Sequence, residues 1–209
     1  CIVEAVKPWV YKKIREKKIY EVEKMIKSIT LAIFAMEVFI MLLAPEVIYV
    51  MGGKKYAEAV YIIPPVIASV YFTFVYNVLV MFEMYYEKVM NIMTVSIICA
   101  VLNIVTNYIF IPIFGYIAAG YTTLFCFMIF CIAHYFPVRK ICDENYDGQQ
   151  VISGKFLILV SVCVLCITAA VIALYSFRII RYVIIVGLMT VIAAKRRELA
   201  AVVKQIKEK

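Results

Sequence analysis

Four polar side chains stand inside long apolar runs of the sequence and could do chemistry that their neighbours cannot: Glu37, Asn77, Asn103 and Asn107. Glu37 sits among Ala, Phe, Met and Val, where an ionised carboxylate is expensive unless it faces a cavity or a cation. It reads either as a protonated, hydrogen-bonded group inside a helix bundle or as part of a polar cavity. Asn103 and Asn107 are four residues apart, so they share a helical face and can bond across to a neighbouring helix or line one side of a channel. These four residues are the substrate-cavity candidates. Glu83 and the pair Glu87 and Lys88 read as solvated at one edge of the apolar runs, and Glu46, after Pro45, as solvated at the other.

Metal and redox chemistry find little support. Cys163-x-x-Cys166, Cys126 and Cys131 all fall in apolar runs without an accompanying His or carboxylate, and a thiol in that setting behaves as a small hydrophobe. The single His, His134, cannot build a metal site alone; it reads as an interfacial hydrogen-bonding group beside Tyr135 or as a proton relay. No Walker loop, HExxH helix, nucleophile elbow or carboxylate pair suited to glycosyl transfer occurs. The expectation is a protein that is not an enzyme, with no metal and no cofactor.

Long elements must position these residues. Apolar residues make up 66% of the 209 and charged residues 17%, with a mean hydropathy of +0.95. Soluble enzyme folds, disulfide scaffolds and disordered regulators do not carry that balance. Nor does the +8 net charge read as a nucleic-acid surface. A bilayer core is crossed by about 20 apolar residues in a helix, and six stretches qualify: 29–50, 60–82, 89–111, 116–137, 156–177 and a shorter 179–194. The alternating pattern of a transmembrane barrel is absent. The fold class expected is all-α, a polytopic transmembrane helix bundle with six predicted spans.

With six spans, all of the 22 Lys and Arg except Lys54, Lys55, Arg178 and Arg181 fall on one side, which the positive-inside bias makes cytoplasmic. Both termini are then cytoplasmic. The chain divides into a basic amphipathic segment (1–28), four spans (29–137), a cytoplasmic loop (138–155), two further spans (156–194) and a basic tail (195–209). Val22, Met25, Ile26 and Ile29, and in the tail Leu199, Val202, Val203 and Ile206, have the spacing of surface-lying helices that meet anionic membrane lipid. Pro64-Pro65 should kink the second span or delay its start. Gly52, Pro112 and Gly115 are the candidate turn residues, and the small residues after Gly115 let two helices approach closely. The start at Cys1, within a charged segment, reads as that of a fragment, with part of the membrane domain and of any substrate site preceding it.

The stretch Asn103-Ile-Val-Thr-Asn107-Tyr-Ile-Phe-Ile-Pro112-Ile-Phe-Gly115-Tyr-Ile-Ala118-Ala119-Gly-Tyr-Thr122-Thr123 resembles the signature of bacterial polysaccharide exporters. These are the lipid-linked oligosaccharide flippases of the multidrug/oligosaccharidyl-lipid/polysaccharide superfamily. Ala44-Pro45-Glu46 through Gly52-Gly53 to Tyr56-Ala57-Glu-Ala59 resembles the family's outer loop, and Pro8 with the basic helix after it resembles the connection before that helix. Together these cover most of residues 1–137. The resemblance implies the C-terminal portion of a MATE-like flippase in the bacterial cytoplasmic membrane, working by alternating access on an undecaprenyl-pyrophosphate-linked glycan, with polysaccharide-assembly proteins as further partners. The cationic residues expected to hold a pyrophosphate have no counterpart in these spans. A drug or cation antiporter of the same superfamily, and a membrane scaffold for polymer assembly acting through the basic ends, are the competing readings.

Overall fold

The computed structural model describes residues 2–194. The chain is all-helical there: α1 (Ile2–Arg15), α2 (Ile19–Gly52), a 3₁₀ segment (Lys54–Tyr61), α3 (Ile63–Tyr85), α4 (Val89–Phe114), α5 (Ala118–Asn145), α6 (Gly154–Leu174) and α7 (Arg178–Ala194). Five helices, α2 to α6, are long and apolar enough to cross a bilayer, so the chain is a polytopic membrane helix bundle. The sixth expected span differs: α7 has 17 residues and falls short of the other five. The basic tail 195–209, with its expected amphipathic helix, lies outside the described residues.

Hydrophobic run length located the spans, but packing sets where the helices end. The first was expected at 29–50, yet α2 begins at Ile19 and runs 34 residues, about 51 Å at 1.5 Å per residue. Its first turns continue a stripe buried in protein: Ile19 and Val22 are 0% exposed and Ile26 1%. The expected boundary at residue 28 is therefore no break, and that stripe is not laid on lipid. Likewise α5 continues past 137 to Asn145, burying Val138, Ile141 and Cys142, so the expected loop 138–155 shortens to 146–153, whose Val151 and Ile152 fold back into the core.

The turn residues also shift. Pro64 and Pro65 occupy the opening positions of α3, where a missing N–H costs nothing; they set the helix start without kinking it. Gly52 closes α2, and its neighbour Gly53 takes the left-handed turn at φ +64°. Pro112 lies inside the last turn of α4, while Gly115 caps the helix at φ +72°, donating its N–H to the Ile111 carbonyl at 2.8 Å.

α3 is the central helix, packed most extensively against α5 and then against α2. It buries Ala68, Tyr71, Phe72, Val75, Val78, Leu79 and Phe82. Gly120 of α5 lets the two helices meet at the start of α3: a Cβ there would lie 3.0 Å from both Ile62 Cγ1 and the Ile62 carbonyl oxygen. α1 closes one end, burying Val3, Val10 and Ile14 and donating the Tyr11 hydroxyl to the Met81 carbonyl at 3.3 Å. α4 is peripheral. Only Cys99 and Thr106 of its side chains are buried.

Candidate functional site

The amides of α4 meet α5 next to the Gly115 turn. Asn107 Nδ2 donates to Asn103 Oδ1 at 3.1 Å, and Thr122 Oγ1 of α5 donates to Asn107 Oδ1 at 2.7 Å. Thr106, one residue before Asn107, returns its hydroxyl to the Leu102 carbonyl at 2.8 Å and lies 3.8 Å from Cys126 Sγ. Between α4 and α5 lies a cleft of about 540 Å³, lined by Thr106, Phe110, Phe114, Tyr121, Thr122 and Phe125 among others. Its rings are exposed (Phe114 is 66% so) and its two threonines, Thr106 and Thr122, are buried. A wall of four aromatic rings with little polar surface suits an apolar chain.

Asn77 stays apart from that seam. It donates to the Thr73 carbonyl one turn back in α3, at 2.7 Å, and no hydrogen bond joins it to Asn103, Asn107 or Glu37 among the described residues.

Glu37 lies on the inward stripe of α2 formed by Thr30, Ile33, Glu37, Met41 and Ala44. It is 3% exposed and faces α3 at Tyr71, yet neither carboxylate oxygen has a hydrogen-bond partner. Tyr71 instead turns its hydroxyl to Ser161 Oγ of α6 at 3.2 Å and the Leu157 carbonyl at 3.4 Å. A buried carboxyl without partners is costly in either charge state, and it is a vacant acceptor at the junction of α2, α3 and α6.

Two further clusters were not foreseen. Glu83, expected to be solvated, is 0% exposed, as is His134. His134 Nδ1 lies 2.9 Å from Glu83 Oε2, and Asn91 Nδ2 of α4 donates to Glu83 Oε1 at 2.9 Å. A signal was present in the sequence, because Glu83 continues the buried face of Val75, Val78, Leu79 and Phe82, and His134 lies between Cys131 and Val138 at helical spacing. At the other end of the bundle Glu46, also expected to be solvated, pairs with Arg181 of α7 and accepts the Tyr182 hydroxyl at 2.7 Å. The Arg181 guanidinium lies over the Tyr175 and Tyr182 rings, and Tyr175 donates to the Met41 carbonyl at 2.8 Å. These contacts tie α7 to α2.

Beyond the spans, Lys13 bridges Glu16 at 3.3 Å and Glu21 at 2.8 Å across the α1–α2 turn. Hydrogen bonds from Lys18 and Lys13 hold the Glu16 carboxyl below its ordinary range. Tyr86 and Tyr146 share a hydroxyl contact where α3 and α5 end, and burial pushes both phenols up. No grouping of three or more His, Cys, Asp or Glu suited to a metal occurs among the described residues. Their cysteines are free thiols; Cys126 and Cys131 are buried, Cys163 is half-buried and Cys166 exposed.

The chain matches no protein-family model, no curated protein and no solved structure.

Proposed function

We propose that the chain is part of a carrier that moves a lipid-linked oligosaccharide across the bacterial cytoplasmic membrane, with both termini in the cytoplasm, a topology that requires the 17-residue α7 to cross as a sixth span. The observation that carries this reading is the apolar cleft between α4 and α5, lined by Phe110, Phe114, Tyr121 and Phe125 together with Thr106 and Thr122. A polyprenyl chain would follow the rings of this almost wholly apolar cleft. The run from Asn103 to Thr123 supports the same assignment by its resemblance to polysaccharide exporters.

The test is export of surface glycan in a strain lacking the gene. The intact protein should restore it, and Phe110→Asp with Phe125→Asp, which place charge on the cleft walls, should fail to do so while still reaching the membrane. Unchanged glycan in the deletion strain, or full restoration by the double variant, would overturn the reading. A reporter fused after Lys209 should be active only in the cytoplasm.

A second reading, an ion-coupled antiporter, is favoured by one observation: the partnerless carboxyl of Glu37. It requires Glu37→Gln to abolish coupled efflux of a cationic drug. Efflux that continues unchanged excludes it.

A further inference from the structure

Where α2 and α6 run side by side near the α6 start, their outward side chains change from cationic to apolar at one level. On α2, Lys24 and Ser28 are exposed, and from Leu31 onward the exposed large side chains, Leu31, Met36 and Ile40, are apolar. On α6, exposed Lys155 gives way within one turn to exposed Ile158, Leu159 and Val162. The two levels are tied together by Lys27, whose Nζ lies over the Phe156 ring at 5.5 Å.

The charges at this edge do not cancel. Lys27 is paired with Glu23 at 2.7 Å, whereas neither Lys24 nor Lys155 has a salt-bridge partner among the described residues. From Lys24 to Leu31 the helix rises about 10 Å and from Lys155 to Leu159 about 6 Å, and a headgroup layer is about 5–8 Å deep on each side of the bilayer. Long stems let both ammonium groups sit in that layer with hydrocarbon directly beneath. Lys12 and Arg15 of α1 are exposed and unpaired as well, but they lead into the exposed Glu16–Lys18 turn and not into a run of exposed apolar side chains. A soluble anion makes no use of the apolar surface below the two lysines, and a neutral lipid makes none of their charge. An anionic phospholipid uses both.

We propose that the α2–α6 edge binds an anionic phospholipid of the membrane, with its phosphate at Lys24 and Lys155 and an acyl chain along Leu31 and Ile158. The apolar stripe of Val22 and Ile26 is buried in protein and takes no part. The inference stands whatever the carrier moves.

The test is lipid titration of the full chain in a neutral detergent, followed by native mass spectrometry. Each cation at an anionic surface contributes about fivefold in affinity, so the first phosphatidylglycerol should bind about 25-fold more tightly than the first phosphatidylcholine. Lys24→Gln with Lys155→Gln should abolish that preference and leave phosphatidylcholine binding unchanged. Lys12→Gln with Arg15→Gln removes the same charge away from the edge and should keep the preference. Equal affinity of the parent for the two lipids would overturn the proposal. Equal losses in the two double variants would do the same, because they would reduce the effect to net charge. Displacement of phosphatidylglycerol by inorganic phosphate would assign the lysines to a soluble anion and overturn it as well. All four substituted side chains are exposed, and an unchanged melting temperature shows that each variant is folded.

Discussion

Gly120→Ala tests the packing at the heart of the bundle. A methyl group at this position would lie 3.0 Å from Ile62 Cγ1, 3.0 Å from the Ile62 carbonyl oxygen and 3.2 Å from Pro65 Cγ. The side-chain atom can turn aside, but the carbonyl belongs to the backbone at the start of α3 and Pro65 is fixed by its ring. Overpacking costs about 1–3 kcal/mol, and the rigid neighbours place this site in the upper half of that range. Alanine recovers about 1 kcal/mol over glycine by helix propensity. The net loss is about 1–2 kcal/mol, roughly 3–6 °C in melting temperature for a chain of this size. Gly187→Ala, inside α7 with nothing within 4 Å, should shift the opposite way, because only the propensity gain remains. Melting in detergent can be followed with a thiol-reactive dye, since Cys99, Cys126, Cys131 and Cys142 are buried in the folded state. Ile62→Ala in the Gly120→Ala background should recover the side-chain part of the loss and leave the carbonyl part. A Gly120→Ala protein that melts at or above the parent temperature would refute the close approach of α5 to α3.

The polar clusters make separate predictions. Glu46→Gln leaves the buried Arg181 guanidinium without its counter-charge and should loosen α7 by about 2 kcal/mol, Glu46 being partly exposed; trypsin should cut at Arg178 and Arg181 faster than in the parent, and faster than Arg181→Met is cut at Arg178. Glu37→Leu removes a carboxyl that no donor satisfies and should raise stability by about 1–3 kcal/mol, read as a higher melting temperature, while glycan export falls if the carboxyl serves transport. Asn107→Leu breaks the bond to Thr122 and should cost about 0.6 kcal/mol, the mean for hydrogen bonds between membrane helices; a loss near zero would mean that the seam is held by packing alone. At the α1–α2 turn the depressed Glu16 carboxyl contributes stability above the ordinary carboxylate range, and that contribution is lost as pH falls through its lowered value. Protection of the amides at residues 15–19, taken after correction for intrinsic exchange, should therefore fall in acid.

A sequence shows which face of a helix turns inward long before it shows what that face will meet. The five long helices were legible because an apolar run near twenty residues has one inexpensive conformation in lipid, and the amides of α4 were legible as a shared face because four residues close a helical turn. The ends of α2 and α5 were not, since Ile19, Val22, Ile141 and Cys142 extend their helices by burial against protein, which hydropathy does not separate from burial in lipid. The acid–base pairs were hidden by distance: Glu83 and His134 lie 51 residues apart, and Glu46 and Arg181 lie 135 apart. Each of the two glutamates was assigned to solvent because it sits near the end of a span, where water is available and burial is not required. Depth along the membrane normal and burial within the bundle are independent coordinates, and position in the chain informs mainly the first. Both glutamates lie near the end of a span; Glu83 is inside protein and Glu46 is partly exposed. There a charge escapes the full cost of the bilayer centre and still has a fixed partner, which is the setting in which an ion pair can hold helices together or let them go.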